Sequence, residues 1–216
     1  MLLPFEETPD YTENPNYYES RMDFPRMIND HGWKVGVEVG CFEGEYSAHL
    51  LEHSNLEKLY SIDKWRDHLG DSQFYPPLES QMASRKILRK YGRRSILWKK
   101  ESIEASWEFQ ENQILDFVYL DAGADAIAML YDLGIWWKKV KVGGFFGGSN
   151  YLILPNEGAS VIFLVDLFAG LVGQKVHVTG AKDHSPQERH QVACRASAEI
   201  PTEGDFERPS WWIIKE

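Results

Sequence analysis

One strand–turn–helix segment near the N-terminus constrains the fold of this chain more than any other. A valine-rich run from Lys34 to Val39 predicts a strand. A turn from Gly40 to Gly44 follows it, and a helix is predicted to begin at about Glu45. Gly40 has no side chain, so a ligand can lie directly on its backbone. Gly44 opens the helix, whose free N–H groups and positive dipole end favour a carboxylate or a phosphate.

Strand and helix signals alternate along the rest of the chain. Further strands are predicted at 58–62, 95–98, 114–120, 143–147, 175–178 and 211–214. Helices are predicted at 17–31, 45–52, 78–91, 103–109, 125–138 and 159–171. This alternation is typical of an α/β fold in which helices cover both faces of a mostly parallel sheet. No internal boundary interrupts it, so residues 17–216 are predicted to form a single domain.

Two segments fall outside this alternation. Residues 1–16 are acidic and rich in proline, which predicts an extended N-terminal arm. Residues 180–209 are polar and also contain prolines, and they are predicted to be irregular.

The charge and cysteine content exclude several classes of protein. The formal net charge is -10, which argues against a nucleic-acid partner, because phosphate backbones are bound by clustered Lys and Arg. Two cysteines, Cys41 and Cys194, provide neither a disulfide framework nor a metal quartet. The chain begins without the pattern of a secretory signal, and its longest apolar run, 161–172, is too short to span a bilayer. We therefore expect a cytoplasmic protein without a membrane partner.

Four further side chains suit a nucleoside ligand with an amino-acid end. The turn lacks the three-glycine spacing of the dinucleotide fingerprint, and Glu38 at the strand end can accept a hydrogen bond from an ammonium. Asp63 ends the second strand, where a carboxylate can take both hydroxyls of a ribose, or it is a turn residue. Trp65 offers an aromatic face to an adenine. Ser102 stands where adenine contacts are made, and it also suits a helix N-cap.

Four runs of residues together resemble class I S-adenosylmethionine-dependent methyltransferases, and most closely the methyltransferase domain 24 group. These runs are Val35–Gly44, Tyr60–Asp63, Leu115–Ala122 and Lys141–Gly144. The resemblance implies a Rossmann-like, doubly wound, seven-stranded and mainly parallel sheet with an antiparallel last strand. It also implies S-adenosylmethionine as the cofactor. The residues that would hold it are Glu38, Gly40, Gly44, Asp63 and Ser102, with Trp65 and Asp121 beside them.

The acceptor side of the predicted site departs from the family pattern. The family often has a histidine shortly after the fourth-strand aspartate and a Gly-His-Asp-Tyr run after the fifth strand. Here no histidine follows Asp121, and Ser149 and Asn150 replace the His and Asp of the second run. Asp121 is the candidate catalytic base, or else a helix-capping carboxylate, and His68 is the alternative base. Asp121 and Asn150 would give two oxygens to a Mg²⁺ ion, with Asp125 as a third ligand.

These features predict an S-adenosylmethionine-dependent methyltransferase that methylates an oxygen or nitrogen of a small molecule. Two alternatives stay open: a non-catalytic protein that binds S-adenosylmethionine or S-adenosylhomocysteine, and a nucleotide-dependent oxidoreductase. The helix at 159–171 is apolar nearly all round, whereas a surface helix normally has a polar face. This pattern predicts either a homodimer through the helix or its cover by residues 180–209.

Overall fold

The computed structural model of the chain describes residues 17–66, 77–122, 126–152, 161–198 and 208–216. Seven strands form its sheet: β1 (Val35–Val39), β2 (Lys58–Asp63), β3 (Ser95–Lys99), β4 (Leu115–Leu120), β5 (Val140–Gly148), β6 (His177–Val178) and β7 (Trp211–Ile214). The α-helices are α1 (Phe24–His31), α2 (Glu45–His53), α3 (Pro77–Leu88), α4 (Ser102–Glu108), α5 (Ala126–Lys139), α6 (Val161–Val172) and α7 (Pro186–Ala198). Short 3-10 helices span Arg21–Asp23 and Arg89–Arg94. None of the described helices has the length and apolar character that crossing a membrane requires.

The strand order is β3-β2-β1-β4-β5-β7-β6. Strand β1 pairs in parallel with β2 on one side and β4 on the other, while β7 runs antiparallel to both β5 and β6. The predicted doubly wound sheet with an antiparallel last strand is thereby confirmed. The direction of winding reverses between β1 and β4, and in open α/β sheets ligands bind outside the carboxyl ends of the strands at such a point.

The central strands are apolar on both faces because helices cover both faces of the sheet. Along β4, Phe117 and Tyr119 join a buried cluster with α1 and α2. Their neighbours Val118 and Leu120 point to the opposite face and join a second cluster with α5 and α6. Since successive side chains of a strand alternate between faces, one uninterrupted apolar run supplies both cores. The carboxyl ends of β1 and β4 are therefore held between two packed layers.

The expectation that residues 180–209 are irregular is wrong, because this stretch contains α7. The Ser185 hydroxyl accepts the N–H of Glu188 at 3.2 Å, and the Glu188 carboxylate accepts the N–H of Asp183 at 2.6 Å. With Pro186 in the first turn, a serine followed three residues later by a glutamate is a helix-start signal, and it was present in the sequence, although the Glu188 carboxylate accepts from the two residues before Ser185 and not from Ser185 itself. The buried face of this helix begins with a charged residue, Arg189, before Val192 and Ala193, so its sequence shows no clear apolar stripe. Its apolar periodicity was therefore too weak to predict a helix.

Candidate active site

Gly40 brings the end of β1 against the end of β4. Its φ is +92°, and a Cβ at this position would lie 2.3 Å from the carbonyl oxygen of Asp121 and 2.7 Å from the nitrogen of Ala122. The N–H of Asp121 donates to the carbonyl of Val39 at 2.7 Å. Only glycine permits this approach, so the predicted cofactor turn and the fourth-strand carboxylate are joined by direct backbone contact.

The turn from Gly40 to Gly44 follows an unusual backbone path. Phe42 has a φ of +45° and Gly44 a φ of +83°, so a non-glycine residue is held in the left-handed region between two glycines. The N–H of Gly44 donates to the carbonyl of Cys41 at 2.7 Å and closes the turn. A Cβ at Gly44 would lie 3.2 Å from the Cα of Ser84 on α3, so α2 and α3 pack closely here. Backbone strain of this kind concentrates at ligand-binding sites.

Asp63 fixes the position of this turn. One of its carboxylate oxygens accepts the N–H of Phe42 at 2.9 Å, and the other accepts the N–H of Trp65 at 2.8 Å. The buried indole of Trp65 donates to the carbonyl of Phe42 at 2.9 Å. A carboxylate has about four acceptor positions, so Asp63 keeps capacity for ribose hydroxyls after both of these bonds are made.

Glu38 is buried beneath the turn. It is 1% exposed, and the Ser47 hydroxyl donates to its carboxylate. Burial raises the pKa of Glu38 to about 8, although the Ser47 hydrogen bond lowers it, and the charge of Asp121 raises it further. A ligand ammonium at this carboxylate would favour its ionised form.

Ser102 lies at the start of α4 but does not cap it. The N-cap is Glu101, so the N-cap interpretation of Ser102 is wrong by one residue. The Ser102 hydroxyl donates to Asp132 at 2.5 Å and accepts from the Trp136 indole at 2.8 Å. Burial raises the pKa of Asp132 to about 6, an effect that the Ser102 hydrogen bond opposes. A hydroxyl contact to adenine would therefore compete with these two partners.

Asp121 is held on both sides by donors. One carboxylate oxygen accepts from Arg21 at 2.5 Å, and the other accepts from the Ser149 hydroxyl. The oxygen of Asn150 accepts from Arg208 at 3.3 Å. Asp121, Asp132, Ser149 and Asn150 line a cavity of about 20 Å³ outside β4 and β5. Asp121 and Asn150 therefore line one small cavity together, and the remaining walls of this cavity include the apolar side chains of Leu120, Met129 and Val161.

The profile of the methyltransferase domain family matches residues 37–151. This match covers more than half of the 216 residues and includes the carboxyl end of β1 and all of β2 and β4. The chain belongs to this methyltransferase domain family. The predicted class I S-adenosylmethionine-dependent methyltransferase is thereby confirmed, and S-adenosylmethionine is its cofactor.

Solved structures share the fold of this methyltransferase at low sequence identity. The O-methyltransferase TomG from Streptomyces achromogenes, in complex with S-adenosylmethionine, has a TM-score of 0.58 and 10% identity, covering 90% of this chain and 79% of that one. An O-methyltransferase from Bacillus cereus in complex with S-adenosylhomocysteine has a TM-score of 0.57 and 11% identity, covering 96% and 84%. An rRNA methylase from Streptococcus thermophilus has a TM-score of 0.56 and 12% identity, covering 90% and 93%. No curated protein sequence matches the chain.

The residues of this methyltransferase do not fit the predicted Mg²⁺ ion. The described part of the chain contains no group of three or more His, Cys, Asp or Glu that could hold a metal. One oxygen of Asp121 pairs with the guanidinium of Arg21, and the oxygen of Asn150 accepts from that of Arg208, so each of these two ligands lies beside a positive charge that repels a divalent ion. Two further candidates, the possible ligand Asp125 and the possible base His68, lie outside the described residues.

Sequence reasoning missed Arg21. It lies 100 residues before Asp121 in the chain, within a segment predicted only as a helix leading into the domain. A lone arginine in a polar segment carries no periodic or spacing signal. The one local sign was Ser20, which caps the 3-10 helix with Asp23 and so fixes the backbone on both sides of Arg21.

Proposed function

We propose that this methyltransferase transfers the methyl group of S-adenosylmethionine to an oxygen or nitrogen of a small molecule. The observation that carries the proposal is the turn from Gly40 to Gly44. This turn is held by Asp63 and lies in backbone contact with Asp121 at the point where the sheet reverses its winding. A ligand on this turn lies between the end of β2 and the cavity beside Asp121, which are its two binding regions.

The charges around the turn suit this cofactor. Its methionine end carries an ammonium and a carboxylate, and its sulfur is a sulfonium cation. Glu38, Asp63 and Asp121 supply the negative charge, while the first turn of α2 offers N–H groups to a carboxylate. In this arrangement Asp63 takes the ribose and Glu38 lies beneath the amino-acid end.

The chain's part in the transfer is alignment. When bound, the cofactor supplies a methyl group on a positively charged sulfur that leaves as a neutral thioether. The cavity of about 20 Å³ beside Asp121 holds one water-sized group, so it takes only the nucleophilic O–H or N–H of the acceptor, while the rest of that molecule lies outside it. When this group is methylated, its proton passes to the Asp121 carboxylate. Positioning two reactants in this way supplies a large part of the rate enhancement in a displacement reaction.

The negative net charge of the chain favours a small molecule over a nucleic acid as the acceptor. The net charge of -10 opposes a polyanion. The solved neighbour described as an rRNA methylase makes RNA the competing class of acceptor. We would screen acceptors with S-adenosylmethionine that carries a radiolabelled methyl group. We expect the label to be transferred to small phenols and amines and not to total RNA. Labelled RNA would contradict the proposal.

Thermal unfolding with S-adenosylmethionine, S-adenosylhomocysteine, NAD and NADP tests the cofactor site. A ligand that binds only the folded state at about 100 times its Kd should stabilise it by about 2.7 kcal/mol. We expect a rise of the midpoint with the two sulfur compounds alone. Asp63→Ala and Asp63→Asn should reduce that rise, and Asp30→Ala, which removes an exposed carboxylate on α1, should keep it.

Three outcomes of this experiment separate the candidates. A rise with NAD or NADP only would favour the oxidoreductase and contradict the proposed site. No rise with any compound would also contradict it. A rise with the sulfur compounds but no product from any acceptor would favour the non-catalytic binder over the methyltransferase.

We also propose a symmetric homodimer through α6. Phe163, Leu167 and Leu171 of this helix are exposed, and so are Ile127 and Leu130 of the neighbouring α5. An apolar patch across two helices is typical of a protein interface. Light scattering at micromolar concentration should give twice the chain mass, and Phe163→Ser with Leu171→Ser should halve it. A monomeric mass for the unmodified chain would contradict the dimer.

A further inference from the structure

We infer that the Arg21 guanidinium, and not a divalent metal, is the cation that balances Asp121, so that the acceptor side of this methyltransferase works without a metal. The inference rests on the proposed function, because it concerns the same site. Arg21 is assigned as a positioning residue that acts through Asp121.

The backbone around Arg21 is fixed from several directions. The Ser20 hydroxyl accepts the N–H of Met22 at 3.2 Å, and Asp23 accepts the N–H of Glu19 at 2.8 Å. The carbonyl of Arg21 accepts the hydroxyl of Tyr46 at 3.1 Å. This short 3-10 helix therefore presents the Arg21 side chain to the protein interior in one orientation.

The guanidinium is enclosed by groups that stabilise its charge. It lies 4.6 Å from the centre of the Tyr46 ring, donates to the Tyr119 hydroxyl and pairs with Asp121 at 2.5 Å. The Arg21 side chain is 6% exposed and that of Asp121 is 22% exposed. Burial alone would lower the pKa of Arg21, but Tyr119 and Asp121 raise it above its ordinary value. The guanidinium is thus a permanent buried cation.

This arrangement excludes a divalent ion at Asp121. Such an ion would need a carboxylate oxygen at about 2.1 Å for Mg²⁺ or somewhat farther for Ca²⁺. One oxygen of Asp121 already lies 2.5 Å from Arg21, so an ion there would meet a second positive charge at short range. The other possible ligand, the oxygen of Asn150, faces the guanidinium of Arg208 at 3.3 Å. The two predicted metal ligands that lie within the described residues are therefore both paired with arginines.

The same contacts determine what Asp121 can do. Arg21 and the Ser149 hydroxyl hold the two oxygens of Asp121 in one orientation, at the wall of the small cavity outside β4 and β5. Asp121 then serves as a fixed acceptor that aligns an O–H or N–H of the acceptor molecule. Because a buried ion pair that loses one partner leaves an uncompensated charge, Arg21 and Asp121 should behave as one unit.

The first test uses Mn²⁺ alone as the probe, because its EPR signal is lost on binding. We expect no loss of the free Mn²⁺ signal when the unmodified protein is added, and the same midpoint rise with S-adenosylhomocysteine in Mn²⁺ as in EDTA. Stoichiometric Mn²⁺ binding that Asp121→Asn abolishes would overturn the inference. If the rise with S-adenosylhomocysteine were itself absent, the proposed function would fail instead.

The second test is a double-mutant cycle in thermal unfolding. Arg21→Met should lower the midpoint, and adding Asp121→Asn should recover most of that loss. Arg21→Lys, which keeps a positive charge at this position, should show a smaller deficit than Arg21→Met. Arg85→Met, which removes an exposed arginine from α3, should leave the midpoint nearly unchanged.

Additive losses in the cycle, or a deficit of Arg21→Lys as large as that of Arg21→Met, would show that Arg21 only fills space. If Arg21→Met does not fold, the Mn²⁺ measurement on the unmodified protein and on Asp121→Asn still decides the question.

Discussion

The cofactor half and the acceptor half of the site are built by different means. In the cofactor half, Asp63 holds Phe42 and Trp65 through backbone N–H groups that lie 21 and 2 residues away in the chain. In the acceptor half, Asp121 is held by a side chain 100 residues away, and Asn150 by one 58 residues away. Backbone contacts at the ends of neighbouring strands follow from the topology, whereas distant side-chain pairs follow from packing. Sequence motifs therefore describe the first half much better than the second.

Gly40 joins the two halves, so its substitution should have the largest effect. Gly40→Ala places a Cβ 2.3 Å from the Asp121 carbonyl oxygen at a φ of +92°. We expect a loss of about 3 kcal/mol in the free energy of unfolding, because steric overlap and backbone strain add. Urea unfolding measures the loss, and the midpoint rise with S-adenosylhomocysteine should fall with it.

Gly134→Ala is the matched control for Gly40→Ala. A Cβ at Gly134 meets nothing within 4 Å, and the residue is helical. Alanine there should raise stability by up to about 1 kcal/mol, since glycine is a poor helix former. Equal effects of the two substitutions would mean that the halves are not joined at Gly40.

Glu38 tests the cofactor half through pH. Its pKa is raised to about 8 in the folded chain, mainly by burial, so the folded state keeps a proton that the unfolded state releases. Its contribution to stability is therefore complete at acidic pH and is lost as the pH rises through about 8. In the unmodified protein the free energy of unfolding should decline with rising pH by at most about 1.4 kcal/mol per pH unit, which is the limit for one proton. Glu38→Gln should remove this decline.

The window for this measurement lies between about pH 6.5 and pH 8, above the ordinary pKa of histidine. Below it, Asp132 with a pKa of about 6 and His177 with a pKa of about 4 also titrate in the folded chain. Urea unfolding of the ligand-free protein across this window should show the decline, and Glu57→Gln, at an exposed carboxylate, should keep it. If the free energy of unfolding of Glu38→Gln declined with pH as steeply as that of the unmodified protein, the decline would belong to another titrating group.

Ser102 should give the smallest effect. Ser102→Ala leaves the buried Asp132 and the Trp136 indole without their shared partner, which costs about 1 to 2 kcal/mol, because buried polar groups that lose a hydrogen bond keep their desolvation penalty. Ser106→Ala is the control, since that hydroxyl bonds only to the carbonyl of Ile103 in its own helix. We expect the midpoint of Ser102→Ala to fall while its rise with S-adenosylhomocysteine persists. A lost rise at unchanged stability would show that the hydroxyl holds the cofactor.

Most of the fold could be predicted from local patterns. The predicted β7 spans 211–214 as observed, and β3 differs by one residue. Strand β5 is longer than predicted, Val140–Gly148 instead of 143–147, because Val140 pairs with Leu115 of β4 across a register shift, and this long-range pairing leaves no local sequence signal. Helix α7 was missed because its apolar stripe was weak, although Ser185, Pro186 and Glu188 marked its start.

Only the features of the site that lie at the ends of strands could be predicted from the sequence. The glycine turn and Asp63 lie where strand ends meet, so spacing alone located them. The partners of Asp121 and Ser102 are side chains from Arg21, Asp132 and Trp136, which no spacing connects. Predicting them requires knowing which helix faces which strand end, and that is information about packing.

The close approach of Gly40 to Asp121 has a consequence for how such an enzyme changes its substrate. The separation between the two halves is set by main-chain atoms that touch, with no side chain between them to be lengthened or shortened. New acceptors can therefore be accommodated by replacing residues that surround the cavity. In all of these variants the distance between the cofactor turn at Gly40 and the carboxyl end of β4 at Asp121 stays the same, because main-chain contacts determine it.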